Sequence, residues 1–194
     1  REALEAGAVG FSTGRSDNHR TSEGKDTPAA NASHEELTGL AQAFQGLSHG
    51  VIQMVSDYNL LKGPSEFDAE FDLVEAMATA SGKALSLTWH QRDPGGEQFV
   101  RIQERVEQAV AKGLPIFMQT AARGIGVLNG LDASFHPFMG FPSYKEVAHL
   151  PLAKRAEALR DPSRKARILS EKSERLAGDG SSIPPLVDIL LAKI

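Results

Sequence analysis

The chain contains no cysteine, so disulfides and cysteine-ligated metals are excluded from the start. No apolar run approaches the roughly 20 residues needed to span a bilayer, and no leader-like segment is visible. There is no basic excess: net charge is -4, without the basic stripe that marks a nucleic-acid partner. His-x-His, HExxH and GxSxG patterns are all missing, and Gly124-Ile-Gly126 lacks the third glycine of a dinucleotide fingerprint. The chain opens at Arg1 without an initiator methionine, so the natural N-terminus is expected upstream. A cytoplasmic location is compatible with these absences. No membrane partner is expected.

What is there is ordinary globular material. The 194 residues are 41% hydrophobic and 24% charged, enough for one domain with a sizeable core. Three short apolar runs recur at near-regular spacing: Val51-Ile-Gln-Met-Val-Ser56, Ala84-Leu-Ser-Leu-Thr-Trp-His90 and Leu114-Pro-Ile-Phe-Met-Gln-Thr120. A helix-period stretch separates each pair. Consecutive β-α-β units of this kind predict an α/β fold with parallel strands buried under helices. Glu2 to Ala6 is helix-forming with Gly7 as a stop, and Val9 to Ser12 reads as one more short strand. Parallel strands place chemistry at their carboxyl ends.

The connecting segments carry their own signals. Gly14 to Asn31 is polar, with charges of alternating sign, and reads as a solvated flexible loop or a substrate loop. Ser33 with Glu36 forms a capping-box pattern, and Leu37, Leu40, Ala41 and Phe44 form the apolar face of a helix ending by Gly46. A second helix follows Pro64 and Ser65, with Phe67, Phe71, Val74, Met77 and Ala78 inward and Asp68, Glu70, Asp72 and Glu75 supplying acidic charge to its first turns. Ser81-Gly82 ends it. A third spans about Glu97 to Lys112, with Phe99, Ile102, Val106, Ala109 and Val110 on one face and Gly113 as its stop. Beyond Arg123 the chain turns loop-rich, with Pro137, Pro142 and Pro151. Helices are then predicted over 144–150, 152–159, 162–176 and 186–193, with Asp161-Pro162 as a helix start. Residues 1–123 and 124–194 are expected to be two segments of one domain.

Alternation makes the run 84–91 informative. Leu85, Leu87 and Trp89 share one face, and Ser86, Thr88 and His90 share the other. His90, nearest the carboxyl end, is a candidate metal ligand, base or substrate-binding group, and equally a strand-end histidine with ordinary hydrogen bonds. Gln53 and Asp57 share a face. Gln53 suits a hydrogen bond to substrate, and Asp57 suits an acid, base, ligand or loop cap. Gln119 shares a face with Phe117. Arg123, just beyond, suits a bidentate hold on a substrate carboxylate or a surface ion pair. His136, between Phe135 and Pro137, reads as structural. No residue is assigned a catalytic role.

The block Glu5-Ala-Gly-Ala-Val-Gly-Phe-Ser-Thr-Gly14 resembles the N-acyl-D-amino-acid deacylases (D-aminoacylases) of the amidohydrolase superfamily. Ser33-His-Glu-Glu-Leu37 continues the likeness, and Arg155-Ala-Glu-Ala-Leu-Arg-Asp-Pro162 resembles the helix-plus-DP segment of the amidohydrolase-3 type. The resemblance implies a TIM (β/α)8 barrel in which zinc or another divalent metal activates water against the carbon-nitrogen bond of an N-acyl amino acid. It implies that this chain spans about four parallel strands, the fourth to the seventh, with flanking helices and a helical C-terminal segment. His90 stands at the sixth-strand ligand position. The fifth-strand histidine is missing, with Gln53-Met-Val-Ser56 in its place, and one ligand does not hold a catalytic metal. The isolated fragment is therefore expected to lack turnover. A non-catalytic binding or assembly module with a degenerate metal site is the alternative, and an α/β domain with accidental matches is a third possibility. Four strands cannot close an eight-stranded barrel, so association into a homodimer through exposed barrel faces is expected.

Overall fold

A short helix, a strand and a long connection begin the computed structural model, which describes residues 1–16, 19, 21, 25–59, 64–91, 96–124, 130–133 and 136–174. The chain divides into two compact units, Arg1–His19 with Thr27–Ile125, and Arg20–Asp26 with Gly126–Ile194. The predicted helix over 186–193 lies outside the described residues, as do residues 17, 18, 20 and 22–24 of the predicted 14–31 loop, whose first two residues belong to a strand and whose last four form a 3-10 turn.

The first unit holds helix α1 (Glu2–Glu5), strand β1 (Gly10–Arg15), a 3-10 turn (Pro28–Asn31), α2 (His34–Gln42), β2 (Val51–Ser56), α3 (Pro64–Ser81), β3 (Ala84–Thr88), α4 (Gln98–Ala111) and β4 (Ile116–Gln119). The strands form one sheet in the order β1-β2-β3-β4, every pair parallel. Local chemistry explains the boundaries. Ser33 caps α2, its Oγ accepting the Glu36 N–H at 3.0 Å. Gly82 (φ +61) and Gly113 (φ +88) take the left-handed conformation that turns α3 and α4 into the following strands. β1 is longer than the predicted Val9–Ser12 because it pairs with all six residues of β2. β3 and β4 are shorter than their apolar runs. Leu114 donates back to the Ala109 carbonyl and Pro115 has no N–H, so β4 starts at Ile116.

One core fills the space between the sheet and its helices. Leu37 and Ala41 of α2, Phe67, Phe71, Val74 and Met77 of α3, and Ile102, Val106 and Ala109 of α4 join Ile52, Met54, Leu85, Leu87 and Ile116. Leu40 and Val110, expected on the inner faces, are exposed. Outside this core, Arg105 binds Asp68, Asp72 and Glu75, Arg101 binds Asp68, and the two guanidiniums lie over the rings of Phe71 and Phe67. Asp68, Asp72 and Glu75 of α3 thus serve as partners for α4.

The second unit contains α5 (Pro142–Lys145), α6 (Leu152–Leu159) and α7 (Pro162–Ser170), giving seven α-helices among the described residues. Phe141, Tyr144 and Ile168 form its small core. The helix predicted over 144–150 is a single turn, followed by tighter turns from Val147 to Tyr144 and from Leu150 to Val147. Asp161 caps α7 by accepting the Ser163 N–H at 2.9 Å. α7 stops at Ser170, short of the predicted 176. The Glu171 carboxylate is taken by the Ser143 N–H and hydroxyl, and the Glu174 N–H by Gly140, which draws the chain off the helical path. No helix among the described residues is long and apolar enough to cross a membrane.

Candidate functional site

Alternation gives the sheet two unlike faces. Ile52, Met54, Leu85 and Leu87 are fully buried beneath the helices. The other face carries Ser12, Gln53, Ser86 and Phe117 in a single cross-strand row. Ser12 and Gln119 are exposed there, and Phe117 keeps 57% of its surface. The Ser12 hydroxyl donates to Gln53 Oε1 at 2.5 Å. The Ser86 hydroxyl is buried and makes no hydrogen bond among the described residues. This face lies opposite α2, α3 and α4 and carries small and polar side chains beside Phe117.

The expected site residues fall on or beyond this face. Gln53 is half-buried in mid-strand, its amide oxygen already engaged by Ser12. Asp57 is the first residue past β2, half-buried, and its N–H donates to the Arg15 carbonyl at 3.0 Å. His90 lies two residues past β3 and is half-buried. Gln119 ends β4, exposed, its carbonyl accepting the Trp89 N–H at 2.8 Å. Arg123 is exposed, and its guanidinium donates to the Gly124 carbonyl at 3.0 Å. Asp57 and His90 therefore stand at the ends of neighbouring strands, while Arg123 turns onto its own backbone. Among the described residues no three His, Asp or Glu side chains are grouped to hold a metal ion.

Sequence reasoning missed a buried charged cluster at the carboxyl ends of β1 and β2. Arg15 Nε donates to Glu70 Oε1 at 2.6 Å, and Ser56 Oγ donates to the same oxygen at 3.1 Å. His34 Nε2 lies 3.9 Å from the other carboxylate oxygen. Arg15 also donates to the Ala32 carbonyl. The Glu70 side chain is 3% exposed, so it is a paired interior charge and not a helix-dipole residue of the first turn. Its position was a signal: Glu70 interrupts the inward stripe of Phe67, Phe71 and Val74. The cluster lies on the helix side of the sheet and ties the start of the β1–α2 connection to α3. A buried charge with this many partners is strongly destabilising to break.

The second unit offers polar groups with structural roles. Burial, and secondarily the positive charge of Arg155, hold the His136 imidazole below its ordinary value, so it is neutral near pH 7. Its Nδ1 accepts the Phe138 N–H at 3.2 Å and its ring meets Tyr144 edge-on at 4.6 Å. Hydrogen bonds from Arg164 and then Arg167 hold the exposed Glu146 carboxyl below its usual range.

Compared with protein-family models, with curated proteins and with solved structures, the chain matches none of them.

Proposed function

We propose that this chain supplies four consecutive β/α units of a (β/α)8-barrel amidohydrolase that cleaves the carbon-nitrogen bond of an N-acyl amino acid or a similar small amide. The observation that carries the reading is the strand order. Four parallel strands in sequence order, with α2, α3 and α4 all packed on one face, suit a singly wound barrel wall. A doubly wound sheet reverses its order and places helices on both faces. The block around Gly10 to Gly14 and the segment Arg155 to Pro162 support the same family.

In this reading the face opposite α2, α3 and α4 is the barrel interior, and the ends of β2, β3 and β4 form the mouth. His90 would hold the divalent metal, which when bound supplies an activated water for the acyl carbonyl. Gln53 and Gln119 offer amide groups to a substrate. Arg123 suits the carboxylate of an N-acyl amino acid once it exchanges its hydrogen bond to Gly124. By itself the chain is expected to bind no catalytic metal at full strength, to lack turnover, and to dimerise through its open face and edge strand. A cytoplasmic location suits a chain without cysteine. A binding module without turnover is the second reading, favoured by the lack of a three-donor cluster among the described residues.

The test uses the protein expressed from its complete reading frame. Metal content and hydrolysis of N-acetyl amino acids of both chiralities are measured, with His90→Ala alongside. Bound divalent metal and turnover that His90→Ala removes are expected. A metal-free protein that hydrolyses no N-acyl amino acid would overturn the enzymatic reading and leave the binding module.

A further inference from the structure

We propose that the second unit binds a carboxylate group between Arg155, Tyr144 and His136. The site does not depend on the amidohydrolase reading.

The three side chains come from successive segments: His136 from the loop before α5, Tyr144 from α5 and Arg155 from α6. Arg155 brings a full positive charge against the small core of this unit. Its Nη1 donates to the Leu131 carbonyl and, at 3.3 Å, to the Tyr144 hydroxyl. Its Nη2 donates to the Leu150 carbonyl at 3.0 Å. No carboxylate among the described residues pairs with it. Glu146 is held by Arg164 and Arg167, Glu157 by Lys154, Glu174 by Lys145 and Glu171 by Ser143. A charge withdrawn from water ordinarily has an opposite charge beside it. This one has two carbonyls and a phenol.

Three donors are left over. The Arg155 Nε–H is buried and meets no acceptor. The Tyr144 hydroxyl accepts from Arg155, but its own hydrogen goes to no group among the described residues. His136 Nδ1 accepts the Phe138 N–H, which leaves the proton of the neutral ring on Nε2, again without an acceptor among the described residues. Tyr144 keeps 3% of its surface and His136 6%, so bulk water has little access to either. The two rings meet edge-on at 4.6 Å, and Arg155 bonds to one of them. The donors and the unmatched charge therefore belong to one cluster.

Buried donors are satisfied in folded proteins. The group that suits these is rich in lone pairs and negatively charged. A carboxylate offers about four lone-pair sites on two oxygens, and its single charge matches the one on Arg155. The influence of Arg155 on His136 agrees. It adds to burial in keeping the imidazole neutral, as a cation with no anion beside it would.

The experiment follows the uniformly labelled 194-residue chain by proton–nitrogen NMR. Acetate is titrated against chloride at constant ionic strength, with inorganic phosphate as a second arm. Tyr144→Phe and His136→Gln are compared, circular dichroism checking that each is folded. His149→Gln, at an exposed histidine of the same unit, is the control. Saturable shifts around His136 and Tyr144 are expected with acetate, weakened about tenfold in Tyr144→Phe and in His136→Gln and unchanged in His149→Gln. Bound acetate should also move the His136 titration upward, because it offsets Arg155, which faces the ring from α6 as Tyr144 does from α5. No saturable shift, the result for donors met by water alone, overturns the site. So does wild-type affinity in both variants, or a preference for phosphate over acetate. If a variant is unfolded, the wild type decides: a His136 titration that acetate does not raise overturns the site by itself.

Discussion

On one side of the sheet Ile52, Met54, Leu85 and Leu87 lie under three helices with no exposed surface. On the other side of the same strands Ser12 and Gln119 are exposed, Gln53 is half-buried and Phe117 is largely bare. Successive side chains of one strand therefore meet different surroundings. The helix side carries the stability, because apolar area leaves water there. The open side carries polar groups that add little to folding. On the helix side the Glu70 carboxylate is paired with Arg15 and Ser56.

The largest test of this contrast is Glu70→Ala. It leaves the Arg15 guanidinium buried without its carboxylate and should lower stability by about 3–5 kcal/mol in urea unfolding. Arg15→Met with Glu70→Leu should recover most of that loss, because the pair itself adds little over apolar packing. A single variant as stable as the wild type would mean that the cluster is solvated. Next is a pair of neighbours. Leu87→Ala should lose about 2–5 kcal/mol, and Thr88→Ala, one residue on and facing the open side, within about 0.5 kcal/mol. Equal losses would break the contrast between the faces.

A smaller effect comes from His136, which has a neighbouring cation where Glu70 has an opposite charge. Its native-state value lies below that of an ordinary imidazole, so the unfolded chain takes up a proton that the folded chain resists. Stability from this group is present above that value and declines as pH falls through it. The thermal midpoint of the second unit should drop between neutral pH and about pH 5, and His136→Gln should flatten that part of the profile. Smallest in stability is Phe117→Asp, at a side chain already in water. It should leave unfolding nearly unchanged while shifting sedimentation toward monomer. Unaltered self-association would place the contact elsewhere.

Much of the first unit was legible along the chain. β2 coincides with its apolar run, the inward positions Phe67, Phe71, Val74, Met77 and Ala78 of α3 are all buried, and Ser33 and Asp161 cap the helices that follow them. The length of β1 was not legible, because Thr13 to Arg15 are strand residues only by virtue of their partners on β2. The end of α7 depends on Gly140 and Ser143, some thirty positions upstream. In the site, Asp57 and His90 each stood out as polar residues beyond an apolar run. The bond between Ser12 and Gln53 did not, and neither did the role of Arg15.

The amino-acid order by itself determined the β-α alternation, the helix caps, and which residues of each strand share a face. These follow from backbone geometry repeating every two or 3.6 residues, a short-range property. Only the tertiary structure decided that the strands lie in sequence order with α2, α3 and α4 on one side, and that a glutamate on an apolar stripe meets an arginine 55 positions away. Register and charge pairing come from packing between segments distant in the chain, which no local period encodes.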